Sequence, residues 1–208
     1  MHDALPPPFS PAAERNKQPL LEALQSLLPP NGRALEIASG TGQHLEHFSA
    51  HLPGWHWQPS EFSTERLDWL RQFRRSWPAE QQARVAEPLP LDVSVLPWPV
   101  EVGSVDLVFC ANLLHAAPWS CCSGLMQGAA TALKPEGCLL SYGAYLEDEV
   151  PTAASNLAFD ADLRARDPAW GLRRLSAVQA VAAEAGLQLA QRLEMPANNL
   201  LLVWRRST

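Results

Sequence analysis

The sequence predicts a doubly wound α/β fold: a mostly parallel sheet with helices on both faces, finished by one antiparallel strand. Three observations predict it. Strand-like apolar runs alternate with helix-like periodic segments along the chain, an alternation that pairs strands in parallel through helical crossovers. A glycine pair, Gly40 and Gly42, stands where the first strand passes into its helix. The last two strand-like runs are joined only by Met195–Asn199. A parallel crossover needs a dozen or more residues, so these two strands form an antiparallel hairpin.

Residues 1–10 contain Pro6, Pro7 and Pro8 and read as an extended arm, and residues 11–206 read as one domain. Leu20, Leu21, Leu24, Leu27 and Leu28 recur at spacings of three and four, which predicts a helix over Pro11–Leu28. Pro29, Pro30, Asn31 and Gly32 stop it. Ala34–Ala38 is the first strand and Gly42–His51 the helix after it. Pro53-Gly54 turns the chain into a second strand, Trp55–Pro59, which stops at Glu61. A helix over Thr64–Ser76 is capped by Ser63 or Thr64. The Pro-rich stretch 78–103 carries a short strand near Val85 and an extended piece ending at Asp92. Val105–Ala111 is a strongly apolar strand. Residues 119–133 are helical, Lys134–Gly137 turn, and Cys138–Tyr142 is the next strand. The connection 143–172 holds a small helical piece near Phe159–Arg166. Ser176–Ala185 is a helix ended by Gly186, and Leu187–Leu193 and Leu200–Trp204 are the closing strands.

Composition bounds the function. The 208 residues suit one domain, and 47% hydrophobic against 18% charged residues supplies a core and argues against disorder. A formal net charge of -6 counts against nucleic acid and membranes as partners, since both call for a positive field. Cys110, Cys121, Cys122 and Cys138 form no C-x-x-C pair, so reduced thiols are expected rather than zinc or disulfides. With no signal-like apolar region near the start and no apolar run of about 18 residues, a soluble cytoplasmic protein is expected.

The sharpest local signal is Glu36-Ile37-Ala38-Ser39-Gly40-Thr41-Gly42. As a dinucleotide fingerprint it fails, because Leu45 stands where the third glycine would let helix and strand pack closely. As a loop admitting the amino-acid tail and ribose of S-adenosylmethionine it fits, with Glu36 holding the tail ammonium through water. An ordinary strand-to-helix turn is the competing reading. Glu61, nineteen residues after Gly42 at the end of the second strand, can accept from both ribose hydroxyls, or can simply sit at a helix N-terminus. Asp92 falls where a third strand ends and can accept from the adenine amino group beside Val93, or be a solvated loop acid. Asn112 ends the fourth strand and points into the crevice beyond the carboxyl ends of the strands, where ligands of open α/β sheets bind. A parallel sheet closed by an antiparallel hairpin is the arrangement of class I methyltransferases, and dinucleotide dehydrogenases usually lack it.

Four segments carry a resemblance: Ser10–Lys17, Glu36–His44, Tyr142–Tyr145 and Met195–Asn199. Together they resemble a group of class I methyltransferase-like proteins that includes methyltransferase-like protein 26, over residues 9 to 206. The resemblance implies a Rossmann-like, seven-stranded class I methyltransferase fold with an S-adenosylmethionine pocket, and it supplies no substrate. Ala38 stands where the wider class has its first loop glycine, a feature this group shares.

Methyl transfer is an in-line displacement accelerated mainly by orientation, and a base is needed only for hydroxyl or amide acceptors. His115, three residues beyond Asn112, is the first candidate base, with a structural histidine as the alternative. Tyr142 and Tyr145 can contact substrate or close the pocket. Arg15 and Asn16, with Lys17, can bring positive charge to the cofactor carboxylate, and His44 belongs to the cofactor loop. His44, His47 and His51 share a helix face but lack a carboxylate or cysteine partner, so no metal is expected. Asn198 and Asn199 read as turn residues, with Met195 and Pro196 on the acceptor side. Trp98, Trp119 and Trp170 fall in loops, as a lid or as packing against the sheet.

The expected protein is therefore a monomeric or homodimeric methyltransferase of a small-molecule acceptor, its lid built from residues 1–18 and 143–172. The alternatives are a cofactor-binding regulatory protein without turnover and an NAD-linked oxidoreductase.

Overall fold

The computed structural model describes residues 8–207. In chain order the elements are α1 (Pro11–Leu27), β1 (Gly32–Ile37), α2 (Gln43–His51), β2 (Trp55–Glu61), α3 (Thr64–Arg75), α4 (Ala79–Gln82), β3 (Leu89–Pro90) and β4 (Val105–Ala111). They continue with α5 (Ser120–Ala132), β5 (Leu133–Gly143), β6 (Tyr145–Leu146), α6 (Ala154–Arg166), β7 (Arg173–Arg174), α7 (Leu175–Glu184), β8 (Leu187–Met195) and β9 (Asn199–Arg206).

The main sheet has seven strands in the order β3-β2-β1-β4-β5-β9-β8. β1 pairs in parallel with β2 and β4, β4 with β5, and β9 runs antiparallel between β5 and β8. The predicted architecture, closing hairpin included, is the one observed. Strands are added in one direction from β1 to β3 and in the other from β4 onward, so the order switches at the β1–β4 boundary, and the carboxyl ends of these strands open the crevice there.

Alternation along the strands feeds two cores. Leu35 and Ile37 of β1, Val108 and Cys110 of β4, and Leu202 and Trp204 of β9 face α5 and α7. Ala34, Leu107, Phe109, Leu201 and Val203 face the opposite way, under α1 and α2. Leu20, Leu21 and Leu24 bury one stripe of α1 in that second core. Ser10 caps α1 by accepting from the Ala13 amide at 3.2 Å. Within the expected N-terminal lid, Pro11–Gln18 are thus part of a docked helix, and residues 1–7 lie outside the described ones.

Local differences from the sequence reading have identifiable causes. Val85 makes only an isolated bridge to Trp57, and β3 is two residues long. Pro88 and Pro90 have no N–H to extend a ladder there. β5 starts at Leu133 and runs through the expected Lys134–Gly137 turn, with an irregular register opposite Val105–Leu107. The Lys134 ammonium anchors that start on both Asp106 oxygens at 2.9 Å. α6 begins five residues before Phe159, its first turn held by a long-range bond from Asn156 to the Asn198 carbonyl. A short parallel pair, β6 with β7, closes the base of the excursion that carries α6. Trp98 is buried against Gly128, while Arg173 lies over Trp119 and Arg166 over Trp170. No helix of the described residues is long and apolar enough to cross a membrane.

Candidate functional site

Glu36, Gly40, Glu61, Asp92, Asn112, His115 and Tyr142 stand at or just beyond the carboxyl ends of β1 to β5, with Asn16 of α1 and His44 of α2 on the Tyr142 side. The loop after β1 turns through left-handed backbone at Ala38 (φ 53°), Gly40 (φ 58°) and Gly42 (φ 78°). The glycines accept this freely, and Ala38 holds it at a cost. Asn112, at the end of β4, is also left-handed (φ 59°), and its amide donates to the Tyr142 carbonyl at 2.8 Å. Strained backbone of this kind concentrates where ligands are gripped.

Glu61 clips the loop from the side. One carboxylate oxygen accepts from the Gly40 amide at 3.0 Å, and the other from the Phe62 and Ser63 amides at 2.9 and 3.4 Å. Of its roughly four lone-pair sites, one is left for a ligand hydroxyl. The Ser39 amide donates to the Ser60 carbonyl, which ties the loop to β2.

Glu36 lies beneath the loop, 2% exposed, and its Oε2 is buried without a hydrogen-bond partner among the described residues. Burial raises its pKa to about 8, opposed by Ser39 and reinforced by the Glu61 charge. A buried carboxylate in this state lacks a cation.

The α1 side of the crevice carries a chain of neutral groups. His44 is kept near a pKa of 4 by burial, so its ring is neutral at pH 7, and Nε2 lies 2.6 Å from the Asn16 Oδ1. With the proton on Nε2, Asn16 Oδ1 accepts and the Asn16 amide is turned to the Tyr142 hydroxyl. The same ring stacks on Phe48, whereas His47 and His51 pair with each other at 4.5 Å between centroids. The three histidines therefore do not converge on one point. Arg15 is exposed on α1 beside Tyr142.

Asp92 and Val93 follow β3. Asp92 accepts from the Ser94 amide and hydroxyl at 2.9 and 2.7 Å, an Asx turn that keeps the carboxylate half-exposed at the rim. Val93 is buried under it against α5.

His115 lies on the other side of the crevice. Its imidazole packs over Gly143, where a Cβ would come within 3.2 Å of both Cε1 and Nδ1 and the ring would have to give by a few tenths of an ångström. Phe159 of α6 meets it edge-on at 5.1 Å. Burial, then the Arg173 charge, lowers its pKa to about 4. Tyr142 and His115 thus serve opposite walls: the tyrosine joins Asn16 and His44, and the histidine joins Gly143 and Phe159.

A comparison with protein families gives a match over residues 7–206 to the family described as "Protein of unknown function (DUF938)". The chain belongs to the DUF938 family. Its fold is that of class I methyltransferases. The DUF938 chain superimposes on mitomycin 7-O-methyltransferase with a TM-score of 0.76 at 21% identity, covering 93% of this chain and 54% of that one. The human N-acetylserotonin methyltransferase in complex with SAM gives 0.74 at 17%, covering 93% and 52%. An O-methyltransferase family protein from Burkholderia thailandensis gives 0.75 at 20%, covering 95% and 59%. The DUF938 chain spans just over half the length of these structures.

Four further residues of the DUF938 chain shape the site. Gln43 is buried, accepts from the Ser10 amide at 2.7 Å and the Thr41 hydroxyl at 2.9 Å, and donates to Glu14, which docks α1 on the glycine loop. Phe62, directly after Glu61, is 72% exposed at the rim. Arg173 donates to the Leu114 and Ala117 carbonyls at 2.9 and 2.6 Å and so fixes the segment bearing His115. Phe159 is the fourth. Gln43 carried a signal, a polar residue directly after Gly42, as did Phe62, an aromatic flanking a strand-end acid. Arg173 and Phe159 reach their partners from far along the chain and carried none.

Proposed function

We propose that this protein is an S-adenosylmethionine-dependent methyltransferase acting on a small-molecule acceptor, related to the group that includes methyltransferase-like protein 26. The observation that carries the reading is the unpartnered Glu36 oxygen buried under the glycine loop. An ammonium is the group that answers it. Gly40, where a Cβ would meet nothing closer than the Arg66 guanidinium at 3.5 Å, leaves room for an amino-acid tail beside it, while Gly42 lets the loop pack on Leu70 and Phe73 of α3.

The residues present fit the cofactor. Glu36 takes the tail ammonium, and Glu61 offers its remaining lone pair to the ribose while holding Gly40 in place. Asp92, Val93 and Phe62 flank the adenine position, and Asn112 lines the crevice floor. Arg15 brings positive charge over the tail carboxylate, and Asn16, His44 and Tyr142 form the neutral wall behind it. S-adenosylmethionine, when bound, supplies a methyl group activated by its sulfonium.

His115 is the acceptor-side base. It is neutral at pH 7, desolvated, and held over Gly143 by the Arg173 anchor, so it can receive a hydroxyl proton as the methyl is accepted. The low pKa imposed by burial also favours a second reading, a cofactor-binding protein with little turnover, because a base near 4 has a weak pull on a proton. The two readings share the cofactor site.

Calorimetric titration of S-adenosylhomocysteine into wild type and Glu61→Ala tests that site. The variant loses the loop clip and a ligand hydrogen bond, so binding weakens by about 1–3 kcal/mol. Absence of heat with both S-adenosylmethionine and S-adenosylhomocysteine would refute both readings.

A further inference from the structure

The candidate base is covered. His115 is 5% exposed, and the described residues make no hydrogen bond to its ring. A histidine in this position takes a proton from an acceptor only after one of its covers gives way. On one side the imidazole packs over Gly143, the last residue of β5. β5 is paired with β4 through Tyr142 and with β9 through Gly143, so that floor is fixed. The other cover is Phe159 of α6, whose ring meets the imidazole at 5.1 Å between centroids. Phe159 is itself 37% exposed, so the cover is one side chain thick.

α6 is held to the sheet by less than its neighbours are. Leu125, Met126 and Ala129 of α5 and Val178 and Ala182 of α7 enter the main core. α6 buries one apolar side chain, Leu163, in a separate small core with Ala144 and Leu172. Its start is tied to the β8–β9 turn by two neutral bonds, from Asn156 to the Asn198 carbonyl at 2.9 Å and from Asn198 to the Ser155 hydroxyl at 3.2 Å. Asp160 bonds Arg164 and the Leu172 amide, which belong to α6 itself and to the limb that follows it. That following limb is anchored. The Gly171 amide donates to the His115 carbonyl at 2.9 Å, and Arg173 donates to the Leu114 and Ala117 carbonyls. The part of α6 that carries Phe159 is therefore the weak side of the enclosure, where few buried apolar contacts oppose local opening.

We infer that Phe159 is a gate on the acceptor side: with the first half of α6 it swings off His115 to admit the acceptor and closes again over it. Closure keeps water away from the base and from the reacting methyl group while transfer proceeds. The inference rests on the methyltransferase reading for what passes the gate, and on packing for the gate itself.

The test reads the gate without cofactor. Diethyl pyrocarbonate acylates neutral imidazole, and peptide mass spectrometry assigns each adduct. At pH 6 an ordinary histidine, with a pKa of about 6.5, is mostly protonated. His115, lowered to about 4, is neutral there, so a slow reaction reports cover and not charge. Wild-type His115 is expected to react about tenfold or more slower than the exposed His56. Phe159→Ala should raise the His115 rate about tenfold or more, while His44, buried on the opposite wall, stays slow. Phe159→Leu, which keeps a cover, should stay near wild type. Hydrogen exchange on the wild type reads the same motion without a substitution, and the α6 amides should exchange about tenfold or more faster than those of α5 and α7. If Phe159→Ala also accelerates His44, the variant has loosened as a whole and the exchange rates decide. A His115 rate that Phe159→Ala leaves unchanged, or an α6 protected as strongly as α5, refutes the gate. The methyltransferase reading fails separately: S-adenosylhomocysteine without heat leaves a gated histidine with no methyl to receive, and binding with an ungated His115 leaves the methyltransferase and removes the gate.

Discussion

Replacing Glu36 by glutamine separates a carboxylate that binds a cation from one that only supports the loop. In the free protein its pKa of about 8 means that the group is mostly protonated at pH 7. Ionising it there costs about 1.4 kcal/mol, since one pKa unit corresponds to about 1.36 kcal/mol. Binding an ammonium requires that ionisation, so S-adenosylhomocysteine affinity should rise nearly tenfold from pH 6 to 7 and about fivefold more from 7 to 8. The rise ends where the ligand's own amino group begins to lose its proton. A charge-assisted hydrogen bond is worth about 1.5–3 kcal/mol. At pH 8 the ionisation cost has fallen to about 0.4 kcal/mol, so Glu36→Gln should bind more weakly by about 1–2.5 kcal/mol. At pH 6 the cost reaches about 2.7 kcal/mol and cancels the gain, so wild type and variant should bind alike. Calorimetry at pH 6, 7 and 8 and constant ionic strength reads both curves. A variant that keeps this rise, or a wild type without one, would refute the assignment of Glu36 to the ammonium.

The same groups set an unusual pH profile for stability. Glu36, raised from 4.5 to about 8, contributes most below pH 4.5 and loses that contribution as pH climbs through 8. His44 and His115, lowered from 6.5 to about 4, contribute fully above 6.5 and lose it as pH falls through 4. Two histidines outweigh one glutamate on the acid side, so the melting temperature of the ligand-free protein should peak near pH 6.5. Glu36 alone should remove roughly 2 kcal/mol between 6.5 and 8. Thermal melts at pH 5, 6.5 and 8 check this, and a wild type that keeps gaining stability to pH 8 would contradict it; Glu36→Gln should flatten the alkaline limb. Gly124→Ala tests the support of the adenine-side loop, because a Cβ there would stand 2.0 Å from the Val93 carbonyl and 2.9 Å from the Ser94 Cα. Backbone must move, so a loss of about 1–3 kcal/mol or more is expected together with weaker S-adenosylhomocysteine binding. Unchanged melting and affinity would show that α5 and this loop are not in fixed register.

How much of this was legible in the sequence depended on whether the signal was local. β1, β4 and the glycine loop were readable because apolar runs and Gly40 and Gly42 mark themselves within a few residues. Glu61 was readable because a strand end fixes where an acid must sit. The Met195–Asn199 link gave the antiparallel strand by length alone. What escaped detection was made by tertiary contact. The first turn of α6 has Ser155 and Asn156, weak helix formers, and it stands because Asn156 reaches the Asn198 carbonyl 42 residues away. β5 overrides a Lys-Pro-Glu-Gly turn because Lys134 is held by Asp106.

The site divides along the same line. Sequence spacing could place Glu36, Asn16, His44 and Tyr142 near one crevice, but not their protonation or mutual bonding. Those properties come from which face of β1 and β5 packs beneath α1. Because Glu36 alternates with Leu35 and Ile37 it points to the α1 side, where its Oε2 meets no hydrogen-bond partner among the described residues and desolvation holds the carboxyl group protonated. One residue earlier or later, the same glutamate would have entered the apolar core under α5 and could not have served a ligand. The burial of Glu36 without a partner is therefore a consequence of strand register, and register is what the buried faces of the sheet enforce.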